Sequence, residues 1–178
     1  MHAPSAPTKS PLSANPATDG EAFRALARKW AATVTVVTGR DRQDNTCDGF
    51  TATAFLTVSM APPIILVSAT VTSSAGDLVR QCDQFTIHLL EKSQQELANL
   101  FALSAAERSA RLHTVSSEPD PDGALLLHHT LGAFSARKRE LVPAGDHVLL
   151  LADVTRIWLG PSDAMPLVYA ERAYRSLT

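Results

Sequence analysis

Residues 33–38, Thr33-Val34-Thr35-Val36-Val37-Thr38, are β-branched at every position. Side chains that are stiff at χ1 favour the pleated surface of a strand over the crowded face of a helix. Further strand patterns follow at residues 47–57, 64–67, 85–90, 131–142, 146–158 and 167–169. The links between them are turns or short helical stretches, whereas parallel strands need crossovers of a dozen residues or more. The predicted fold is therefore mostly β (α+β), an antiparallel barrel with short peripheral helices rather than a doubly wound parallel sheet.

The links carry their own signals. Phe23, Leu26, Ala27 and Trp30 recur at i, i+3, i+4 and i+7, which predicts a first helix whose apolar stripe packs on the core. Thr18 and Glu21 stand at capping-box spacing before it. Pro62-Pro63 forbids helix and holds the approach to residues 64–67 extended. Ser73 and Ser74 predict the start of a helix ending near Cys82. Ser93 and Glu96 repeat the capping-box pattern, with Leu97, Leu100 and Phe101 on one helical face. Residues 104–123 end in a loop marked by Pro119, Pro121 and Gly123, and Pro143-Ala144-Gly145 predicts the turn between the two longest strands. Pro4, Pro7, Pro11 and Pro16 among Ser, Ala and Thr predict a disordered tail over residues 1–18, leaving one domain over 19–178.

Composition narrows the function. The 178 residues suit one domain, and 16 basic against 18 acidic side chains give a net charge of −2. Nucleic-acid binding needs a basic excess on one face, so no such partner is expected. No apolar run is long enough to span a bilayer, and no secretory h-region opens the chain. The two cysteines, Cys47 and Cys82, fit a reducing compartment, so a cytoplasmic location is expected. No G-x-G pair, Walker loop or G-x-S-x-G elbow occurs. His128 and His129 are neighbours that a strand would point to opposite faces, and no metal is expected. Asp120 and Asp122 are expected as solvated loop carboxylates, His88 as a satisfied core histidine, and Arg137, Lys138 and Arg139 as a solvated basic run.

The informative block is Asp48-Gly49-Phe50-Thr51-Ala52-Thr53-Ala54-Phe55-Leu56-Thr57-Val58-Ser59-Met60-Ala61-Pro62-Pro63. Taken alone, its hydroxyls fit either a solvent-facing strand or a strand of small residues closely approached by a flat heteroaromatic ring. The block is similar to the G-x-T-A-S-S-F-x-S-V-S-x-x-P-P segment of the flavin reductase family. Further resemblances follow in order. Ser73-Ser74 with Gly76 resembles the family's phosphate-proximal serines, and residues 94–102, ending in Phe101-Ala102, its Q-x-x-L-x-x-x-F-A helix. Gly145-Asp146-His147 resembles its G-D-H turn, and Pro166-Leu167-Val168-Tyr169 with Tyr174 its closing motifs.

The resemblance implies an FMN-binding split β-barrel acting as an NAD(P)H-dependent flavin reductase. It would pass a hydride from NADH or NADPH to FMN or FAD and supply a partner flavin-dependent monooxygenase. The ring would lie along Thr51, Ala52, Thr53, Ala54, Thr57, Val58 and Ser59. The phosphate would sit near Ser73, Ser74 and Ala75, with Phe101, Ala102 and Tyr169 beside the flavin. His147 would shape the nicotinamide face as the catalytic residue. A homodimer is implied, because a second subunit would close an exposed site. Thr33, Ala54, Ala75, His88 and Ser109 depart from the family pattern. They leave open a diverged flavin- or small-ligand-binding protein, or a natural-product tailoring enzyme, with little reductase activity.

Overall fold

The computed structural model describes residues 14, 18–41, 43, 45–122, 124–175 and 177. The expected tail, apart from residues 14 and 18, lies outside the described residues, as does Gly123 of the expected loop. In chain order the elements are α1 (Gly20–Ala27), β1 (Ala32–Thr33), β2 (Thr35–Asp41), β3 (Cys47–Ala52), β4 (Phe55–Met60), β5 (Pro63–Thr70), α2 (Ser74–Gln81), β6 (Cys82–Leu89), α3 (Gln95–Phe101) and α4 (Ala105–Arg111). After a 3-10 turn at Leu112–Thr114 come β7 (Ser117–Pro119), β8 (Leu125–Leu127), β9 (Gly132–Ala144), β10 (His147–Leu159), β11 (Val168–Ala170) and β12 (Ala173–Arg175).

Seven strands form one sheet in the order β3-β2-β6-β9-β10-β5-β4, and every neighbouring pair is antiparallel. The two edge strands, β3 and β4, are consecutive in sequence and joined only through Thr53 and Ala54. In a flat sheet those edges would stand six strand spacings apart, about 29 Å at about 4.8 Å each. The three steps from Ala52 to Phe55 reach at most about 11 Å. The sheet must roll until its edges nearly meet, and Phe50 and Ala52 of β3 share one buried cluster with Ile65, Val67 and Ala69 of β5 inside the roll. This is the expected partly open antiparallel barrel.

Both faces of β2 are covered, which explains its unbroken β-branched run. Val37 packs inside the roll with Phe50, Ile65, Val67, Phe85, Ile87 and Leu150. Val34 and Val36 join a second cluster outside it, with Leu90, Ala98, Phe101, Leu127 and Leu167. His88 fastens the second layer to the sheet. It is fully buried; Nδ1 lies 3.0 Å from the Val36 carbonyl, and Nε2 accepts the Leu127 amide at 3.1 Å. Because Nε2 accepts, Nδ1 is the donor and the ring is neutral. Burial pushes its pKa down from 6.5 to about 4. The expected satisfied core histidine is what the fold contains.

Several expectations change. Phe23, Leu26 and Trp30 do not pack on this chain's core: they are 72%, 72% and 79% exposed, and no α1 residue is buried. The α1 cap is Asp19, whose carboxylate accepts from the Glu21 and Ala22 amides, rather than Thr18. α3 starts after Gln94 without a side-chain cap, because Ser93 bonds to Glu91 instead. The reciprocal capping box is Ser104–Glu107, opening α4 in the stretch that the sequence left unassigned. The strand expected over 47–57 breaks at Thr53-Ala54 into two opposite edges, and the one over 33–38 breaks at Val34. Pro143 and Ala144 stay within β9, so the turn is Gly145-Asp146, with Gly145 at φ +63° where a side chain would be strained. Asp120 is not solvated. It is 3% exposed and accepts from the Thr86 and Ser135 hydroxyls at 2.7 and 2.6 Å. Asp122 pairs with Arg156 at 2.5 Å. Of the basic run, Lys138 is not solvated but reaches the Arg80 carbonyl and Asp83, while Arg139 pairs with Asp153. No helix among the described residues is long and apolar enough to cross a membrane.

His88 makes stability depend on pH. Its folded pKa is below its unfolded one, so between pH 6.5 and about 4 the unfolded chain binds a proton that the folded chain refuses. Stability is fully present above that window and falls as pH falls through it, by about 3 kcal/mol from this residue. Urea midpoints measured from pH 7.5 downward are expected to drop more steeply for the wild type than for His88→Asn; equal slopes would refute the assignment.

Candidate functional site

Where the rolled sheet's edges meet, the chain forms a cleft of about 400 Å³. This falls within the range of about 300–1,000 Å³ usual for small-molecule sites. One wall is the end of β3 and its link, Phe50, Thr51, Ala52, Thr53 and Ala54. Opposite are Ser68, Ala69 and Thr70 of β5, then Ser73, Ser74 and Ala75 at the start of α2. Phe101, Ala102 and Leu103 at the end of α3 close it, with Arg108 and His147. Thr51, Ala52, Thr53, Ala54, Ser73, Ser74, Ala75, Phe101, Ala102 and His147 thus line one cleft.

The motif glycines explain how these walls approach. A Cβ on Gly49 would stand 2.6 Å from the Val37 carbonyl and 2.8 Å from the Phe101 ring, so β3 and α3 meet at bare backbone. A Cβ on Gly76 would stand 2.4 Å from the Thr70 carbonyl, so α2 packs directly on the end of β5. Thr51 donates its hydroxyl proton to the Ala98 carbonyl at 2.6 Å, tying β3 to α3. Only its lone pairs remain for a ligand. Ser73 caps α2, accepting the Gly76 amide at 3.2 Å while donating to the Thr70 carbonyl at 2.8 Å. Ser74 is the exposed hydroxyl at that helix start.

His147 opens β10 opposite Thr70 on β5. Nδ1 lies 2.7 Å from the Asp146 carboxylate and Nε2 3.3 Å from the Thr70 hydroxyl. A carboxylate only accepts, so Nδ1 carries the proton; in the neutral ring Nε2 then accepts from Thr70. The same hydrogen bond, and the charge of His147, hold the exposed Asp146 carboxyl below its ordinary range.

The remaining predicted residues lie elsewhere. Tyr169, on β11, packs edge-on to Tyr174 at 5.3 Å and lines an adjoining hollow that shares Thr51, Thr53 and Ala102 with the cleft. Thr57, Val58 and Ser59 do not line the cleft. They run along the edge strand β4, where Val58 is 48% exposed beside Leu56 and Met60. His128 and His129 meet edge-on at 6.2 Å, the His128 carbonyl accepting from Gln94 just before α3, and no metal-holding cluster occurs among the described residues.

Arg108 is the residue that the sequence reading missed. Its side chain is 2% exposed; Nε and Nη2 donate to both oxygens of Asp48 at 2.5 Å, and Nη1 donates to the Leu103 carbonyl at 2.7 Å. The pair pins α4 to the start of β3. The Ser104-x-x-Glu107 pattern was the available signal for that helix.

A family model for the flavin reductase like domain matches residues 27–178. This chain belongs to that family. An NADH:FMN oxidoreductase of Rhodococcus qingshengii is 37% identical over 157 residues, covering 85% of this chain and 79% of that protein. The reductase component of 4-hydroxyphenylacetate 3-monooxygenase from Thermus thermophilus is 31% identical over 157 residues, covering 88% of this chain and 96% of its own length. The solved NADH:FAD oxidoreductase of Streptomyces globisporus, in complex with NAD and FAD fragments, superposes with a TM-score of 0.83. At 21% identity over 94% of this chain and 98% of that one, it shares the fold. The flavin reductase-like split barrel read from the sequence is thus the fold of the family to which the chain belongs.

The close approach at Gly49 is testable. Gly49→Ala in this flavin reductase-like domain is expected to lose about 1–3 kcal/mol, because its Cβ must displace the Phe101 ring or the β2 backbone. Chemical denaturation measures this, and an unchanged midpoint would show that β3 and α3 do not meet as described.

Proposed function

We propose that this protein is an NAD(P)H-dependent flavin reductase that takes FMN or FAD into the cleft between β3 and α2, reduces it with NADH or NADPH, and hands reduced flavin to a partner flavin-dependent monooxygenase. The observation that carries the reading is the cleft itself, where the motif residues of a flavin reductase-like chain converge around one space of ligand size. The two relatives named above support it, one an NADH:FMN oxidoreductase and the other the reductase component of a monooxygenase.

The donor set fits the group. Hydroxyls of Ser68, Thr70, Ser73 and Ser74 line the cleft together with small residues that admit a flat ring. A bound flavin supplies a two-electron acceptor for the hydride that leaves the nicotinamide, with the accompanying proton coming from solvent. Such a transfer depends on stacked rings, so positioning outweighs acid–base catalysis. Among the described lining residues only Arg108 and His147 are ionisable, and neither is a carboxylate. On this reading His147, steadied by Asp146 and Thr70, orients the nicotinamide. Ser74 and the first turn of α2 meet the phosphate end. Tyr169 flanks the ring from across Thr53.

The reading extends to a homodimer in the cytoplasm. Phe23, Leu26 and Trp30 present an exposed apolar face on α1, and the hollow beside Trp30 also contains Thr53, Ala54 and Tyr169. A second copy seated there would bury that face and cover the cleft's outer side.

Steady-state oxidation of NADH and NADPH with FMN, FAD or riboflavin tests the activity: flavin-dependent turnover is expected, and none with any flavin would overturn the reading. His147→Ala is expected to raise the KM for the nicotinamide about tenfold, equivalent to about 1.4 kcal/mol, with a smaller change for the flavin. Sedimentation is expected to give a dimer that Trp30→Glu shifts towards monomer; a wild-type monomer would remove the interface.

A further inference from the structure

A second hollow, larger than the cleft at about 560 Å³, opens along α3 and shares only Leu103 with the cleft among the described lining residues. Its apolar lining is Leu97 and Leu100 of α3, Leu103 just beyond that helix, and Val115 after the 3-10 turn. Leu97 and Val115 pack on the second core cluster, so this side is fixed to the layer outside the sheet. The polar lining is rich in donors. Arg111 ends α4, and among the described residues no carboxylate forms an ion pair with it. Glu107, one turn back, bonds the Ser104 cap and meets Arg111 only through space. The Asn99 side-chain oxygen accepts from the Tyr174 hydroxyl at 3.0 Å, which leaves its two N–H groups as donors. Ser116 and His128 hold each other, Oγ to Nδ1 at 3.0 Å, and His128 Nε2 stands 3.9 Å from Glu118. His129 sets its ring edge-on to His128. Glu96 is the one carboxylate among the described lining residues.

We propose that this hollow is a binding site for an aromatic carboxylate, with Arg111 and Asn99 taking the carboxylate and the leucines and Val115 taking the ring. The lining itself rules out simpler occupants. An inorganic anion would leave the leucines facing water, and an uncharged ring would leave the guanidinium without its counter-ion. A molecule with one charged end and one apolar end answers both. A planar guanidinium matches the two oxygens of a carboxylate and also lies flat on an aromatic face, and the His129 ring adds an edge for an aromatic partner. A rigid ring loses less freedom on binding than an alkyl chain of similar area. The proposal does not rest on the flavin reading, because hollow and cleft have one residue in common. It gives α3 two duties: Phe101 at its end closes the cleft, while Leu97 and Leu100 line the second site.

The test is calorimetric titration of the full chain with naphthoate, with and without excess FMN. Naphthylmethanol and octanoate serve as probes that lack the charge or the ring. Naphthoate is expected to bind with a Kd below about 1 mM, unchanged by FMN, and about tenfold tighter than naphthylmethanol. Octanoate is expected to bind about fivefold more weakly than naphthoate. Arg111→Gln is expected to abolish the advantage over naphthylmethanol while leaving the Kd for the alcohol and the flavin-dependent turnover unmoved. Glu96→Gln removes the opposing charge and is expected to tighten naphthoate about threefold at low salt. Both residues are exposed, so neither change disturbs the fold. No saturable binding up to about 10 mM overturns the proposal, as does an Arg111→Gln affinity equal to that of the wild type. Competition by FMN would place the acid in the cleft and overturn it too, and octanoate matching naphthoate would overturn the aromatic assignment. Should FMN itself not bind, the flavin reading falls and this site is decided by the naphthoate titration alone.

Discussion

A two-residue link between the opposite edges of one sheet governs this molecule. Thr53 and Ala54 carry the chain from β3 to β4, although five strands lie between them in the sheet order. So short a span leaves the sheet no choice but to roll. Rolling sets the ends of β3 and β5 facing each other across one cleft. The cleft is the gap that remains where the roll fails to close. Small residues belong there for a mechanical reason: the link must turn sharply while leaving both strand ends close enough to share one space.

The sequence displayed the sheet more clearly than the helices, and the physics of each explains why. The β-branched run at residues 33–38 reports local stiffness, which needs no knowledge of what packs on it. The stripe Phe23, Leu26, Ala27 and Trp30 reports that a face is meant to be covered without naming the chain that covers it. Read as core, it is solvent-exposed in the single chain. The break at Thr53-Ala54 was invisible because alternation continues straight through it. Only the pairing of β4 with β5 rather than with β2 separates the two strands.

The candidate site divides the same way. Residues 51–54, Ser73, Ser74 and His147 were legible through their resemblance to short family motifs, each contained within a few consecutive residues. Arg108 was not, because its significance lies in an ion pair with a residue 60 positions away. Asp120 misled for a similar reason. Its neighbours Pro119 and Pro121 mark a loop, whereas the hydroxyls that make its burial tolerable come from Thr86 and Ser135 on distant strands.

Arg108 and Asp120 together show how this fold treats charge. Both groups are partnered from within the chain: Asp48 and a carbonyl for Arg108, two hydroxyls and an amide for Asp120. Self-sufficiency of that kind stabilises the architecture without a ligand, since removing either partner of a buried pair leaves an uncompensated charge.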